Sequence, residues 1–133
     1  EQVDFETLLT QSDIISVHAP LNEHTEGLIN SKAFEKMKSS CIFLNLGRGP
    51  IVDEQALYNA LVRNQIAAAG LDVLCKEPMS ADNPLLKIKD SKRLLITPHI
   101  AWASVEARTR CVQGVYENIK AFMRGENRKD FFA

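Results

Sequence analysis

The sequence predicts an α/β fold: a parallel β-sheet with flanking helices, followed by one long C-terminal helix. Short apolar runs at 14–17, 41–46, 66–73 and 94–97 alternate with segments of helical periodicity, the pattern of βαβ units with parallel strands. Turn-forming residues bound these runs, as in His18-Ala19-Pro20, Gly47-Arg48-Gly49-Pro50 and Pro98-His99. The last periodic segment, 104–123, is unusually long and no strand follows it, so it is expected to pack on something other than this sheet. The connections should be right-handed crossovers.

Each element has a local reason. Asp4 can cap a short helix with apolar positions Phe5, Leu8 and Leu9. Ile14-Ile15-Ser16-Val17 reads as a strand, and 22–27 as a polar loop. Asn30 or Ser31 caps a helix that carries Phe34 and Met37 on one side and ends near Ser39. The run Cys41-Ile42-Phe43-Leu44-Asn45-Leu46 predicts a strand buried on both faces. It stops at Gly47-Arg48-Gly49-Pro50, where glycines permit unusual backbone angles and Pro50 supplies no amide donor. Asp53 then caps a helix over 53–64, with Ala56, Leu57, Ala60 and Leu61 on its apolar face. In the third strand Ala67-Ala68-Ala69-Gly70 lets a neighbour approach closely. Residues 76–90 form a long polar loop with Pro78 and Pro84, and 94–97 is a fourth short strand. The final helix repeats apolar residues at Val105, Val112, Val115, Ile119 and Phe122, with Gly125 as its C-terminal stop.

A chain of 133 residues accommodates one domain with a real core. Composition is that of an ordinary globular protein, 45% hydrophobic and 25% charged, and the net charge of −1 marks no nucleic-acid or membrane surface. No apolar run approaches the roughly 20 residues that span a bilayer, and no basic-then-apolar segment resembles a secretory signal. Cys41, Cys75 and Cys111 are odd in number, far apart and without metal-ligand spacing; three free thiols in a reducing cytoplasm are the simplest account, with no metal site. The chain begins with Glu1 rather than methionine and enters at once what reads as mid-domain sequence, as expected of a piece of a longer protein.

In a parallel sheet the carboxyl ends of all strands lie on one edge, where ligands bind in open α/β folds. Arg48 follows the second strand, Asp72 ends the third with Glu77 just beyond, and His99 follows the fourth. Together these groups could hold a carboxylate, transfer a proton and orient a cofactor. Taken singly, Arg48 also reads as an exposed loop arginine, His99 as a structural histidine, Glu77 as a solvated carboxylate and Asp72 as a turn cap. Their arrival at one edge favours the site.

Leu46-Gly47-Arg48-Gly49-Pro50-Ile51-Val52-Asp53-Glu54, Gly70-Leu71-Asp72-Val73, Glu77-Pro78 and Thr97-Pro98-His99 occur in this order and together resemble the C-terminal part of the D-isomer-specific 2-hydroxyacid dehydrogenases. The resemblance runs from Asp13 to about Phe122, and the stretch His99 to Ser104 looks most like glycerate dehydrogenases, also called hydroxypyruvate reductases. It implies an NAD(P)-dependent oxidoreductase, NAD favoured over NADP, acting on a small 2-hydroxy or 2-keto acid. Arg48 matches the arginine that holds the substrate carboxylate, which a planar fork of donors reads bidentately. His99 matches the acid/base residue and Glu77 its carboxylate partner, which favours the charged imidazole and fixes the ring nitrogen facing substrate. Asp72 matches the residue near the nicotinamide carboxamide; Ala19, Leu46, Gly47, Ala101 and Trp102 fall where the family backbone lines the cofactor, beside Arg48 and His99. The family often has Thr-Ala where this chain has Leu46-Gly47, and commonly glycine at Ala101. Trp102 reads either as a wall of the substrate pocket, favouring small substrates, or as interface or core packing.

The G-x-G-x-x-G turn and its ribose-binding acid are missing from this chain; in the family they lie upstream of residue 1. The chain is therefore expected to be the second half of a Rossmann-like parallel sheet, with 1–103 the C-terminal half of an NAD(P)-binding domain and 104–133 a long helix returning toward the catalytic domain. Alone it should bind NAD poorly, be inactive and marginally stable, and expose the sheet edge where missing strands pair. Resemblance also implies a homodimer. The C-terminal-binding-protein corepressors share the pattern, including a tryptophan three residues beyond the histidine, and stand as the alternative: a nucleotide-sensing protein-binding module. Glu77 disfavours formate dehydrogenase, which has a neutral amide at that position.

Overall fold

The computed structural model describes residues 2–90 and 92–126; the end of the segment 104–133, from residue 127, lies outside them. The chain divides into two compact units, Glu1–His99 and Ile100–Ala133.

The first unit is the expected α/β layer. α1 (Phe5–Gln11) leads into β1 (Ile14–Val17), then α2 (Ser31–Lys36), β2 (Ile42–Asn45), a 3₁₀ turn Gly49–Ile51, α3 (Glu54–Val62), β3 (Ala68–Leu71), a 3₁₀ turn Pro84–Lys87 and β4 (Leu94–Ile96). All strands are parallel, in the order β1-β2-β3-β4, with Ile15 beside Phe43, Phe43 beside Ala69 and Ala69 beside Leu94. Strands that add in sequence through right-handed crossovers put every connection on the same face. Accordingly α1 packs on α2, α2 on α3, and α3 on the Pro84–Lys87 turn.

The helices begin where side-chain caps are available. Asp4, Asn30 and Asp53 accept hydrogen bonds from the Thr7, Ala33 and Ala56 amides, which satisfies donors that an α-helix leaves unpaired at its start. α2 ends at Lys36, three residues short of the expected Ser39, because Met37 is already extended and its buried side chain turns into the core. Phe34 of α2 meets Phe43 of β2 edge-on, with centroids 5.4 Å apart, and Leu57, Ala60 and Leu61 of α3 close over the same core. In α1 only Leu9 is buried; Phe5 and Leu8 face solvent.

Two expectations are corrected. β2 is covered on one face, not both: Phe43 and Asn45 are buried, whereas Ile42 is exposed, as are its neighbours on that face Ile14 and Leu95, at 61% and 64%. Apolar residues on both faces of a parallel sheet call for two covering layers, and the crossovers supply one. The loop 76–90 is also not polar throughout. Asn83 caps the Pro84–Lys87 turn through the Leu85 amide, and Leu85 is buried in the core.

The second unit contains α4 (Val105–Met123), capped by Ser104 and stopped at Gly125, whose φ is +69°. The apolar stripe Val105, Val112, Val115, Ile119 and Phe122 is exposed along its length.

Candidate active site

The carboxyl edge of the sheet carries the predicted groups, and each loop has a mechanical reason for its shape. β2 ends at Asn45, which is buried and whose side chain builds the turn that follows. Its Oδ1 accepts from the Gly47 amide at 3.1 Å and its Nδ2 donates to the Arg48 carbonyl at 3.0 Å. Arg48 is thereby presented at the surface, with Nη1 donating to the Gly47 carbonyl at 2.8 Å. That bond engages one of five guanidinium donors and orients the fork.

Neither Gly47 nor Gly49 has a positive φ, so the expectation of unusual backbone angles does not hold there. Their smallness serves close approach instead. A Cβ on Gly47 would stand 2.9 Å from the Ala19 carbonyl oxygen, and one on Gly49 would stand 2.0 Å from the Leu74 carbonyl. The arginine loop thus lies directly on the loop that follows β3.

Asp72 follows β3 directly and is buried at 3% exposure. Its amide donates to the Asn45 carbonyl, its carboxylate accepts from the Thr97 hydroxyl at 2.6 Å, and its carbonyl accepts from the His99 amide at 2.9 Å. These bonds tie the ends of β2, β3 and β4 into one platform. His99 sits in the left-handed region, φ +56°, a conformation that a non-glycine residue holds only when its surroundings determine it. Here its amide is engaged by both Asp72 and Thr97 carbonyls.

The structure brings Glu77 and His99 together. Glu77 Oε2 lies 2.8 Å from His99 Nδ1, and Glu77 Oε1 accepts from the Leu74 amide at 2.9 Å. Both side chains remain about two-fifths exposed, at 40% and 39%. The Leu74 amide first, and the imidazole next, hold the Glu77 carboxyl below its ordinary value. At Cys75, two residues away, partial burial of the sulfur first, and then the nearby Glu54 carboxylate, push the thiol up to about 11, although the residue as a whole is exposed.

Asp72, Glu77 and His99 form the polar end of a cavity of about 770 Å³ whose other walls are apolar, Leu85, Ile88 and Ile96 among them. Ala19 is half-buried, Leu46 exposed and Gly47 buried, all at the same sheet edge. Ala101 and Trp102 belong to the second unit, where Trp102 is 61% exposed. Sequence reasoning assigned no role to Asn45, Thr97, Glu54 or Asn83. Of these, Asn45 carried a signal, being the lone polar residue inside an apolar strand. No group of three or more metal-ligating side chains occurs among the described residues, and no helix there is long and apolar enough to cross a membrane.

The donor set fits one end of a nicotinamide dinucleotide. A buried carboxylate held by Thr97 can accept from a carboxamide, and at the same sheet edge Gly47 approaches the Ala19 carbonyl closely, with no side chain of its own between them.

Comparison with known proteins agrees. Residues 1–101 match the family described as D-isomer specific 2-hydroxyacid dehydrogenase, NAD binding domain. A hydroxypyruvate reductase of Blautia hydrogenotrophica is 46% identical over 123 residues, covering 92% of this chain and 37% of the relative. Among solved structures, an acyclic imino acid reductase in complex with NADPH and D-Arg is 38% identical, with a TM-score of 0.84 over 95% of this chain and 39% of that one. A D-lactate dehydrogenase with NAD+ from Lactobacillus jensenii is 34% identical, with a TM-score of 0.82 over 96% and 41%. The chain spans about two-fifths of the length of these relatives. With the parallel sheet, the paired Glu77 and His99 and the match over residues 1–101, the chain belongs to the NAD-binding domain family of the D-isomer-specific 2-hydroxyacid dehydrogenases.

Proposed function

We propose that the whole protein is an NAD(P)-dependent oxidoreductase that interconverts a small D-2-hydroxy acid and its 2-keto acid, with glycerate and hydroxypyruvate the leading pair. The observation that carries this is the 2.8 Å contact between Glu77 and His99 at the carboxyl edge of a parallel sheet. Residues 1–103 form the C-terminal half of the cofactor domain, and the segment that follows carries α4 (Val105–Met123), which leads toward the catalytic domain. The exposed apolar face of Ile14, Ile42 and Leu95 supports this division, because the rest of a doubly wound domain would cover it. The same reading carries a homodimer working in the cytoplasm.

Arg48 holds the substrate carboxylate, its planar fork fixing the keto carbon relative to His99. When bound, the nicotinamide supplies the hydride. As hydride reaches the keto carbon, the carbonyl oxygen gains negative charge and takes a proton from the imidazolium. With Nδ1 committed to Glu77, that proton comes from Nε2. The neutral imidazole left behind keeps its remaining proton on Nδ1, against the Glu77 carboxylate. In the reverse direction the same nitrogen accepts the proton of the hydroxyl. Asp72, fixed by Thr97, orients the carboxamide end of the nucleotide.

The test is turnover of the whole protein on hydroxypyruvate, glyoxylate, pyruvate and longer 2-keto acids with NADH and NADPH. Reduction of one of them, lowered by about 10²–10⁴-fold in His99→Ala, is expected. Parent-like turnover and pH dependence in His99→Ala would overturn the assignment. Tight nucleotide binding without turnover on any keto acid would move the reading to the nucleotide-sensing binding module.

A further inference from the structure

We propose that Glu54 is a positioning residue that sets the Glu77–His99 pair by clamping the loop on which Glu77 stands. The proposal rests on the acid/base roles given to that pair. Glu54 is the first residue of α3, immediately after the arginine loop. A negative residue there suits the positive end of the helix, and that generic role needs no particular partner. Glu54 does more. Its Oε1 accepts from the Cys75 amide at 2.8 Å, and its Oε2 accepts from the Asn83 side-chain amide, also at 2.8 Å. Asn83 is 7% exposed, and its own Oδ1 accepts from the Leu85 amide, with Leu85 buried in the core.

One carboxylate therefore grips both ends of the 75–83 stretch, and the arginine loop holds the stretch a third time where Gly49 lies on Leu74. Glu77 falls between the grips. Residues 75–78 are exposed, so little packing fixes this part of the loop. What places the Glu77 carboxylate is the course of the backbone from Leu74, whose amide it accepts, and that course is set by the grips. A pair at 2.8 Å tolerates little displacement before the charge-assisted bond is lost. Glu54 reaches His99 through Glu77, whose Oε2 meets the imidazole Nδ1.

The chemistry of the clamp gives a discriminating set of variants. Both donors point at Glu54, so a second acceptor is required. In Glu54→Gln one donor meets an NH₂ group and one grip is lost. Combining Glu54→Gln with Asn83→Asp reverses one bond: the new amide accepts from Cys75 and donates to the new carboxylate, which can still accept from Leu85.

In the whole protein, Glu54→Gln is expected to lower kcat for 2-keto acid reduction by roughly ten- to a hundred-fold, the scale of a small misplacement transmitted to the reacting groups. Nucleotide affinity, measured by quenching of nucleotide fluorescence, stays at the parent value. The ring signals of His99 in the NMR spectrum of the nucleotide-free protein shift toward those of Glu77→Gln, because the 2.8 Å contact to Nδ1 is loosened, a readout independent of turnover. The double variant recovers both. Parent-like kcat and parent-like His99 ring signals in Glu54→Gln would overturn the proposal, as would a loss of activity that only tracks a fall in Tm, or a double variant that recovers nothing. Glu77→Gln and His99→Ala in the same assays separate the two levels. If those variants keep parent turnover, the acid/base reading has failed. If they lose it while Glu54→Gln does not, only the clamp has failed.

Discussion

Replacing Gly49 by alanine tests the contact on which the site geometry depends. The added methyl would lie 2.0 Å from both the carbonyl carbon and oxygen of Leu74 and 2.4 Å from the Cys75 nitrogen. Ordinary contact begins near 3.4 Å, so the two loops must part by about 1.4 Å. The obstructing atoms are backbone, so no side-chain rotation relieves the clash. Overpacking of this kind costs about 3 kcal/mol, a substantial share of the 5–15 kcal/mol that holds a typical protein folded. The same displacement carries Glu77 away from Arg48, for a further loss of roughly a hundred-fold in kcat. Urea unfolding and initial-rate kinetics on the whole protein measure the two effects. Gly27→Ala is the control: its Cβ meets nothing within 4 Å, but its φ is +63°, so about 1 kcal/mol of backbone strain is expected with kcat unchanged. A Gly49→Ala protein with parent stability and parent turnover would refute the claim that the two loops touch through their backbones.

Gly114 lies inside α4 with open space where a Cβ would go, so Gly114→Ala should raise stability by about 0.5–1 kcal/mol in urea unfolding, with no change in kinetics. Arg93 donates to the Leu61, Ile66 and Ala67 carbonyls and to the Asn64 side chain, closing the end of α3 onto the start of β3. Arg93→Lys retains the charge but not the fork, and should cost about 2–3 kcal/mol by the same measurement. Glu77 titrates below its ordinary 4.5 in the folded protein. A lowered carboxyl contributes stability that is present above the unfolded value and lost as pH falls through the folded one. Parent stability should therefore fall more steeply than that of Glu77→Gln as pH drops below 4.5.

The placement of the candidate site was legible because its residues sit at or just beyond strand ends, and strand ends can be found from apolar runs and turn residues. Arg48, Asp72 and His99 each follow a run that the structure forms as a strand, and Glu77 comes soon after Asp72. The supports were not legible. Glu54 resembled any acidic residue in a first helical turn, Asn83 any loop asparagine, and Thr97 the last residue of a strand. Their roles depend on partners 21 to 29 positions away. The burial of β2 was misjudged for a related reason: an apolar run states that both faces avoid water, but not which neighbours cover them.

By itself the sequence determined the element order, the caps at Asp4 and Asp53, the choice of Asn30 or Ser31 as the cap of α2, and the edge of the sheet that carries the polar groups, because these follow from local periodicity and hydrogen-bonding capacity. The family, too, was readable from short motifs. Only the tertiary structure decided that Gly47 and Gly49 serve close approach rather than backbone angle, that His99 adopts φ +56°, and that Glu77 meets Nδ1 of His99. Those facts arise where separate loops meet. Non-local distance is set by how the strands register and how their connections pack, and no window of residues along the chain contains it.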